Sequence, residues 1–251
     1  YVHERSETPR AGVIGSGFKT SAALAALANG TMAHALDFDD VNWSMNGHPT
    51  VPLLPAVLAL GQEVHAAGSD VLLAYVLGFE VETKIGLGVN PKHYDLGWHA
   101  TSTLGTLGAA AACAKLLRLD VEKTRMTFGI AASTAAGLRQ NFGTMTKPLH
   151  PGQAAMNGVT AAQLAHLGWT ADANIIEAPY GFCQLYAGTD QYNLDDMVKH
   201  LGNPYHLLTT GVAIKQYPCC AFTHRALDGT LALVQQHQLS AADVVAVECL
   251  V

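Results

Sequence analysis

Residues 29–55 read NGTMAHALDFDDVNWSMNGHPTVPLLP. The stretch closes one apolar run, passes three carboxylates and two histidines, and opens a second apolar run. Ala, Leu, Phe and Met surround the acids. At least one of Asp37, Asp39 and Asp40 is therefore expected to sit partly out of water. A half-buried acid beside a histidine is a costly arrangement for a purely structural segment. The plainer use of the same acids is to cap a helix or to pair with a nearby cation.

Working outward, both flanks read as helix. Ser21 to Leu36 is rich in Ala and Leu and lacks proline. Asp37 to Pro49 reads as a loop with an Asn46-Gly47 turn. Val51 to Ala66 reads as the next helix, with Pro52 and Pro55 tolerated in its first turn. Upstream, residues 1–17 read as an irregular arm. Downstream, Ser69 or Asp70 is placed to cap a helix over Val71 to Gly88, with Leu72, Tyr75, Val76, Phe79 and Ile85 at helical spacing.

Val89 to Trp98 reads as loop. Thr101 to Leu117 reads as a helix whose Gly and Ala residues permit close packing. Asp120 introduces a helix to about Leu138, and Arg139 to Lys147 is a polar loop. Pro148 opens a helix to Leu167, which Gly168 stops. Thr170 caps a shorter helix to about Glu177, and Tyr180 to Thr189 reads as loop. Leu194 to Leu201 is one more short helix.

The character changes near Asn203-Pro204. Thr209 to Ile214 reads as extended chain, Phe222 to His237 as helix and Val244 to Val251 as a strand. A lone strand is not stable, so the chain reads as a fragment or as one that begins a second, α+β unit. The fold class is mainly α: a large helical domain over residues 1–203, then the start of a small α+β domain over 204–251.

Composition narrows the function. Of 251 residues, 49% are hydrophobic and 14% charged, with a formal net charge of -6. The acidic balance argues against nucleic acid, and no basic run suggests a membrane surface. The mildly apolar Thr101–Leu117 stretch is too short to span a bilayer, which needs about 20 apolar residues. So little charge fits a large homo-oligomeric interface. No signal peptide is evident, and the five cysteines include no Cys-x-x-Cys, so the expected compartment is a reducing cytoplasm. Twelve histidines supply many groups that exchange protons near neutral pH.

Four places offer chemistry. The first is Asp37 with His48. The second is His99, ahead of the Gly/Ala helix, where a capping or core histidine is the plainer use. The third is Lys147, just before a helix-opening proline. A cation does not stabilise that end of a helix, but with the helix N-terminus it makes a corner for a carboxylate. A solvated surface lysine is the alternative. The fourth is Lys215 to Cys220, followed by Thr223-His224. His34, Asp37, Asp39 and Asp40 could hold a divalent cation, a reading ranked below acid–base work because no fixed ligand spacing supports it. No phosphate-binding loop is present, and Gly15-Ser16-Gly17 lacks the context for a nucleotide site.

Taken in order, Asn29 to Asp40, His48-Pro49, Gly97 to Thr101, Asn141 to His150 and Lys215 to His224 resemble the MmgE/PrpD family. That family contains dehydratases, decarboxylases and epimerases of substrates such as 2-methylcitrate, cis-aconitate and iminodisuccinate. The resemblance implies a large helical domain, a smaller α+β lid, a homodimer, and a site between the domains that uses no cofactor and no metal. It implies Asp37, His48, His99 and Lys147 as catalytic residues, and Lys215, Cys220 and Met145 as substrate contacts. The implied partner is a small di- or tricarboxylate, with the dehydratase activity first and epimerase, decarboxylase or an inactive helical scaffold as alternatives. Val41 stands where the decarboxylase has threonine, and Cys220 lies near the place of its site histidine. Both argue against decarboxylation. The expected mechanism gives carboxylate binding to Lys147 and Lys215, proton transfer to His48 and His99, and the orientation of one imidazole to Asp37.

Overall fold

The computed structural model describes residues 1–5 and 8–250. Its architecture is mainly α. A small antiparallel hairpin of β1 (Ala11–Gly12) and β2 (Lys19–Thr20) leads in, so the expected irregular arm is in part paired. Gly15 and Gly17, at φ 77° and 72°, supply the left-handed turn it needs.

The helical body follows in chain order: α1 (Ala22–Ala33), α2 (Thr50–Glu63), α3 (Gly68–Val89), the single turn α4 (Lys92–Asp95), α5 (Ala100–Leu116), α6 (Val121–Thr134) and α7 (Thr146–His166). Ser21 caps α1 through Leu24 N–H, and Asp120 caps α6 through Lys123 N–H. Helix α5 is the axis, packing on α2, α3, α6 and α7. It is buried along nearly its whole length, as expected of a helix that is apolar all round. Small residues let the backbones meet. A Cβ on Gly30 of α1 would stand 2.7 Å from Gly152 Cα of α7, and one on Gly78 of α3 would stand 2.8 Å from the Gly108 carbonyl of α5.

Several boundaries differ from the sequence reading. Helix α3 begins at Gly68 with Ala67 as a cap that offers no side-chain bond, so neither Ser69 nor Asp70 caps it. Leu72 is exposed rather than packed. Pro55 lies beyond the first turn of α2. Helix α6 ends at Thr134, short of Leu138. Residues 170–177 form turns and no helix. Arg125 donates to the Ala173 carbonyl and to Asn174 Oδ1, and those tertiary bonds replace helical ones. The expected loop from Tyr180 contains α8 (Phe182–Ala187), held by the stack of Phe182 on Tyr186 at 4.4 Å.

Three further helices follow: α9 (Leu194–Val198), α10 (His206–Thr209) and α11 (His224–His237). The backbone between α9 and α10 is fastened to α3. Glu80 accepts the N–H groups of Gly202 and His206 at 2.9 and 2.6 Å, and Lys84 donates to the Lys199 carbonyl at 2.7 Å. A bridge between Val41 and Ala213 then carries the chain to the loop after α1. Residues 244–250 form no strand, for want of a partner among the described residues. Val251 lies outside them.

Candidate active site

The site grows from the loop between α1 and α2. His34 ends α1, and Asp37 takes the left-handed region at φ 51°, a conformation Asp tolerates better than most residues. The reversal separates the three acids. Asp40 turns back to cap α2, accepting Thr50 N–H and hydroxyl at 3.2 and 2.5 Å, while Tyr75 OH lies 2.7 Å from the same hydroxyl. Burial raises the Asp40 carboxyl above its ordinary range, against the pull of those hydrogen bonds.

Asp37 turns to the cations. Lys147 Nζ donates to its Oδ2 at 2.8 Å. Lys215 Nζ donates to its Oδ1 and its backbone carbonyl, both at 2.6 Å. Burial opposes ionisation of Asp37, but the two ammonium groups prevail and hold its carboxyl below the usual range. Lys147 sits in the first turn of α7, and Asp37 offsets the unfavourable charge there.

Asp39 turns to the imidazoles. His34 Nδ1 lies 2.9 Å from each of its oxygens. His48 Nδ1 lies 3.0 Å from Asp39 Oδ2 and 3.0 Å from the Asp40 carbonyl. The expectation that Asp37 orients an imidazole is thereby corrected. Its Oδ1 stands 3.7 Å from His48 Nε2, too far for a hydrogen bond, because the lysines hold it. The carboxylate that reaches imidazole N–H groups is Asp39.

His99 is the residue before α5, and its backbone N–H donates to the Gly137 carbonyl. Its Nδ1 lies 2.9 Å from Nδ1 of His150, so one of these two nitrogens donates and the other accepts. Phe142 meets the His99 ring edge-on at 4.8 Å. Burial, followed by the nearby imidazoles and Lys147, pushes His99 well below the ordinary histidine range, so it is neutral at pH 7.

Part of this set lines one cavity of about 560 Å³. It contains His34, Asp37, His48, His99 and Lys147, with Met145 and Cys220 on its rim. Lys215 reaches the cavity through Asp37. Met145 is 92% exposed and Cys220 is also exposed, so in this structure both face mainly solvent. Val41 and Tyr94 also line the space, and the Arg139 guanidinium lies 3.7 Å over the Tyr94 ring.

Sequence reasoning missed His150, and it gave His34 and Asp39 no role in acid–base work. The signal for His150 was its place in the Lys147 to His150 run. The signal for the other two was the spacing of imidazole and carboxylate either side of Asp37. His34, Asp37, Asp39 and His48 each bring a possible metal-ligand atom within 4.8 Å of the others. The two carboxylates among them are already engaged: two ammonium groups hold Asp37, and two imidazoles hold Asp39. The arrangement suits an anion at the lysines and a proton at the imidazoles better than a divalent cation.

Among known proteins, the chain matches the MmgE/PrpD N-terminal domain over residues 1–195. It is 35% identical over 225 residues to the cis-aconitate decarboxylase of Mus musculus, covering 88% of this chain and 45% of that protein. The cis-aconitate decarboxylase of Homo sapiens is 35% identical over 219 residues, covering 85% and 44%. That of Aspergillus terreus is 32% identical over 224 residues, covering 84% and 45%. The chain thus spans about half the length of the curated relatives it matches. The match over most of this chain, together with the same motifs gathered on one cavity, places the chain in the MmgE/PrpD family.

Proposed function

We propose that the protein is a metal-independent lyase acting on a small di- or tricarboxylate, with dehydration of a 2-methylcitrate-like hydroxy acid as its reaction. The observation that carries this reading is a pair of separately hydrogen-bonded imidazoles, His48 and His99, beside two ammonium groups. Dehydration moves two protons, one from the carbon next to a carboxylate and one onto the departing hydroxyl. A neutral imidazole takes the carbon proton as base, and the imidazolium so formed supplies the proton that the departing hydroxyl needs. Lys147 and Lys215 stabilise the negative charge that builds on the carboxylate as the carbon proton leaves. In the free site both lysines lean on Asp37, so a substrate carboxylate enters by competing with that side chain. Two lysines against one aspartate leave a net positive corner for it.

Decarboxylation of cis-aconitate is the second reading, favoured by what the relatives are named. Against it, the cavity presents Val41 and Cys220, neither of which donates a strong hydrogen bond to a departing carboxylate. The same proposal includes a homodimer in the cytoplasm and a lid domain that begins near residue 204. It draws support from exposed Leu167, Trp169 and Leu208 and from cysteines that are all free. No helix among the described residues is long and apolar enough to cross a membrane.

Proton NMR of the full-length protein with a panel of di- and tricarboxylates, in deuterated buffer with a chelator, tests the reading. Loss of water from a hydroxy tricarboxylate supports it. Loss of carbon dioxide from cis-aconitate selects the second reading. Deuterium entering an α-carbon without a new alkene selects an epimerase. Silence across the panel overturns the lyase.

A further inference from the structure

Asp39 is buried, with 6% of its side chain exposed, and stands between two imidazoles rather than beside one. The identity of every atom that meets those imidazoles at Nδ1 fixes where their protons are. His34 Nδ1 faces only the two oxygens of Asp39, each at 2.9 Å. His48 Nδ1 faces Asp39 Oδ2 and the Asp40 carbonyl, each at 3.0 Å. A backbone carbonyl only accepts, and so does an ionised carboxylate. The Asp39 carboxyl is ionised: burial opposes this, but the hydrogen bonds from His34 and His48 outweigh it.

Both Nδ1 atoms therefore carry hydrogen, and in each neutral ring Nε2 is a bare lone pair. His34 Nε2 is buried and has no hydrogen-bond partner among the described residues. An unmet buried acceptor is costly to keep, and both rings line the same cavity. The rings are in edge contact, with centroids 4.6 Å apart.

We propose that Asp39 is a positioning residue that locks His34 and His48 together in the Nδ1–H tautomer, so that one carboxylate readies two Nε2 acceptors in the cavity. His34 thereby joins the acid–base apparatus as an interior proton acceptor beside His48. The proposal rests on the acid–base reading above for its purpose, and on hydrogen-bond geometry with an ionised Asp39 for its content. A similar logic holds a catalytic histidine in one tautomer wherever a buried carboxylate accepts from its Nδ1.

Asp39→Asn is the discriminating change. His34 Nδ1 is equidistant from the two carboxyl oxygens, so either orientation of the amide offers it both an N–H and an oxygen, and the Nδ1–H state is no longer imposed. His34 is then free to accept at Nδ1 from the amide N–H, with its hydrogen on Nε2, as well as to donate to the amide oxygen. His48 keeps the Asp40 carbonyl and stays Nδ1–H. The readout is nitrogen-15 NMR of the imidazoles at pH 8, with peaks assigned by their loss in His34→Gln and His48→Gln. In the wild type, both rings are expected as Nδ1–H. In Asp39→Asn, His34 gains an Nε2–H population and His48 does not. For a substrate that turns over, kcat falls about 100-fold while KM changes little, which marks a lost transition-state interaction and not lost binding.

Wild-type rings found as Nε2–H overturn the proposal. So does a kcat equal to wild type in a folded Asp39→Asn. The wild-type spectrum decides the central point even if the variant does not fold. It needs no substrate, so an error in the proposed reaction would show as silent turnover with the expected tautomers.

Discussion

Lys215 Nζ lies 2.6 Å from both the backbone carbonyl and the Oδ1 of Asp37, a residue 178 positions earlier in the chain. The Val41–Ala213 bridge brings the lysine there. The segment after α10 thus completes a site otherwise built on the loops around α1, α5 and α7.

The two lysines on Asp37 have separable effects. Lys147→Ala is expected to cut turnover by about 100-fold or more, the usual size of a lost charge-stabilising donor. Lys215→Ala is expected to do the same and also to lower Tm. Its side chain is 2% exposed, and its loss leaves the half-buried Asp37 with one cation. Steady-state kinetics and thermal unfolding of both variants check this. Turnover near wild type in both would remove the lysines from the site.

His48→Ala and His99→Ala should each lower turnover by about 100-fold. His3→Ala and His237→Ala should leave it unchanged, since both rings are on the surface and neither lines the cavity. Equal losses in all four would point to general destabilisation and not to chemistry.

Glu82 carries a pH dependence of stability. It is wholly buried in α3, and neither carboxyl oxygen has a partner among the described residues. Burial, with the nearby Asp40 charge, raises its carboxyl well above the ordinary range, so the native protein keeps this proton to higher pH than the unfolded chain does. The unfolded chain releases that proton above about pH 4.3. Stability therefore falls as pH rises from there toward the native pKa, by up to about 1.4 kcal/mol per pH unit. Glu82→Gln cannot ionise. Its Tm relative to wild type should climb as pH rises above about 4.3, and a flat difference would contradict a raised Glu82 carboxyl.

The contact of α1 on α7 is set by glycine. Gly30→Ala would place a Cβ 2.7 Å from Gly152 Cα, where only backbone can give way. A loss of about 1–3 kcal/mol is expected from such overpacking, measurable by urea unfolding. Gly68→Ala, with open space around it, serves as the control and should cost nothing.

The helices of the body were legible where local signals and tertiary structure agree. Ser21 and Asp120 cap as their residue types suggest, and the Gly/Ala run of α5 is buried on every side. Reading failed where distant groups decide. Thr170 looks like a cap, but Arg125 holds the following backbone in turns. The aromatic Phe182 and Tyr186 look like loop, but stacking with each other and with His93 turns them into α8. The β-branched end of the chain has no strand to pair with.

At the site, the motifs bring Asp37, His48, His99 and Lys147 to one cavity, yet their pairing was hidden. Three acids within four positions look interchangeable in sequence. The left-handed residue at Asp37 sends them three ways: to the lysines, to the imidazoles and to the start of α2. No spacing rule shows that turn, and so Asp39 was passed over in favour of Asp37 as the partner of an imidazole.

The central claim is that this cavity seats a substrate carboxylate on Lys147 and Lys215 beside His48 and His99. Crystals of the protein with propane-1,2,3-tricarboxylate, an unreactive tricarboxylate, test it most directly. The account predicts one carboxylate within hydrogen-bond distance of both ammonium groups, with Asp37 displaced from at least one of them. A tricarboxylate bound elsewhere, or a cavity that stays closed on the Asp37 pairs at saturating ligand, would contradict it.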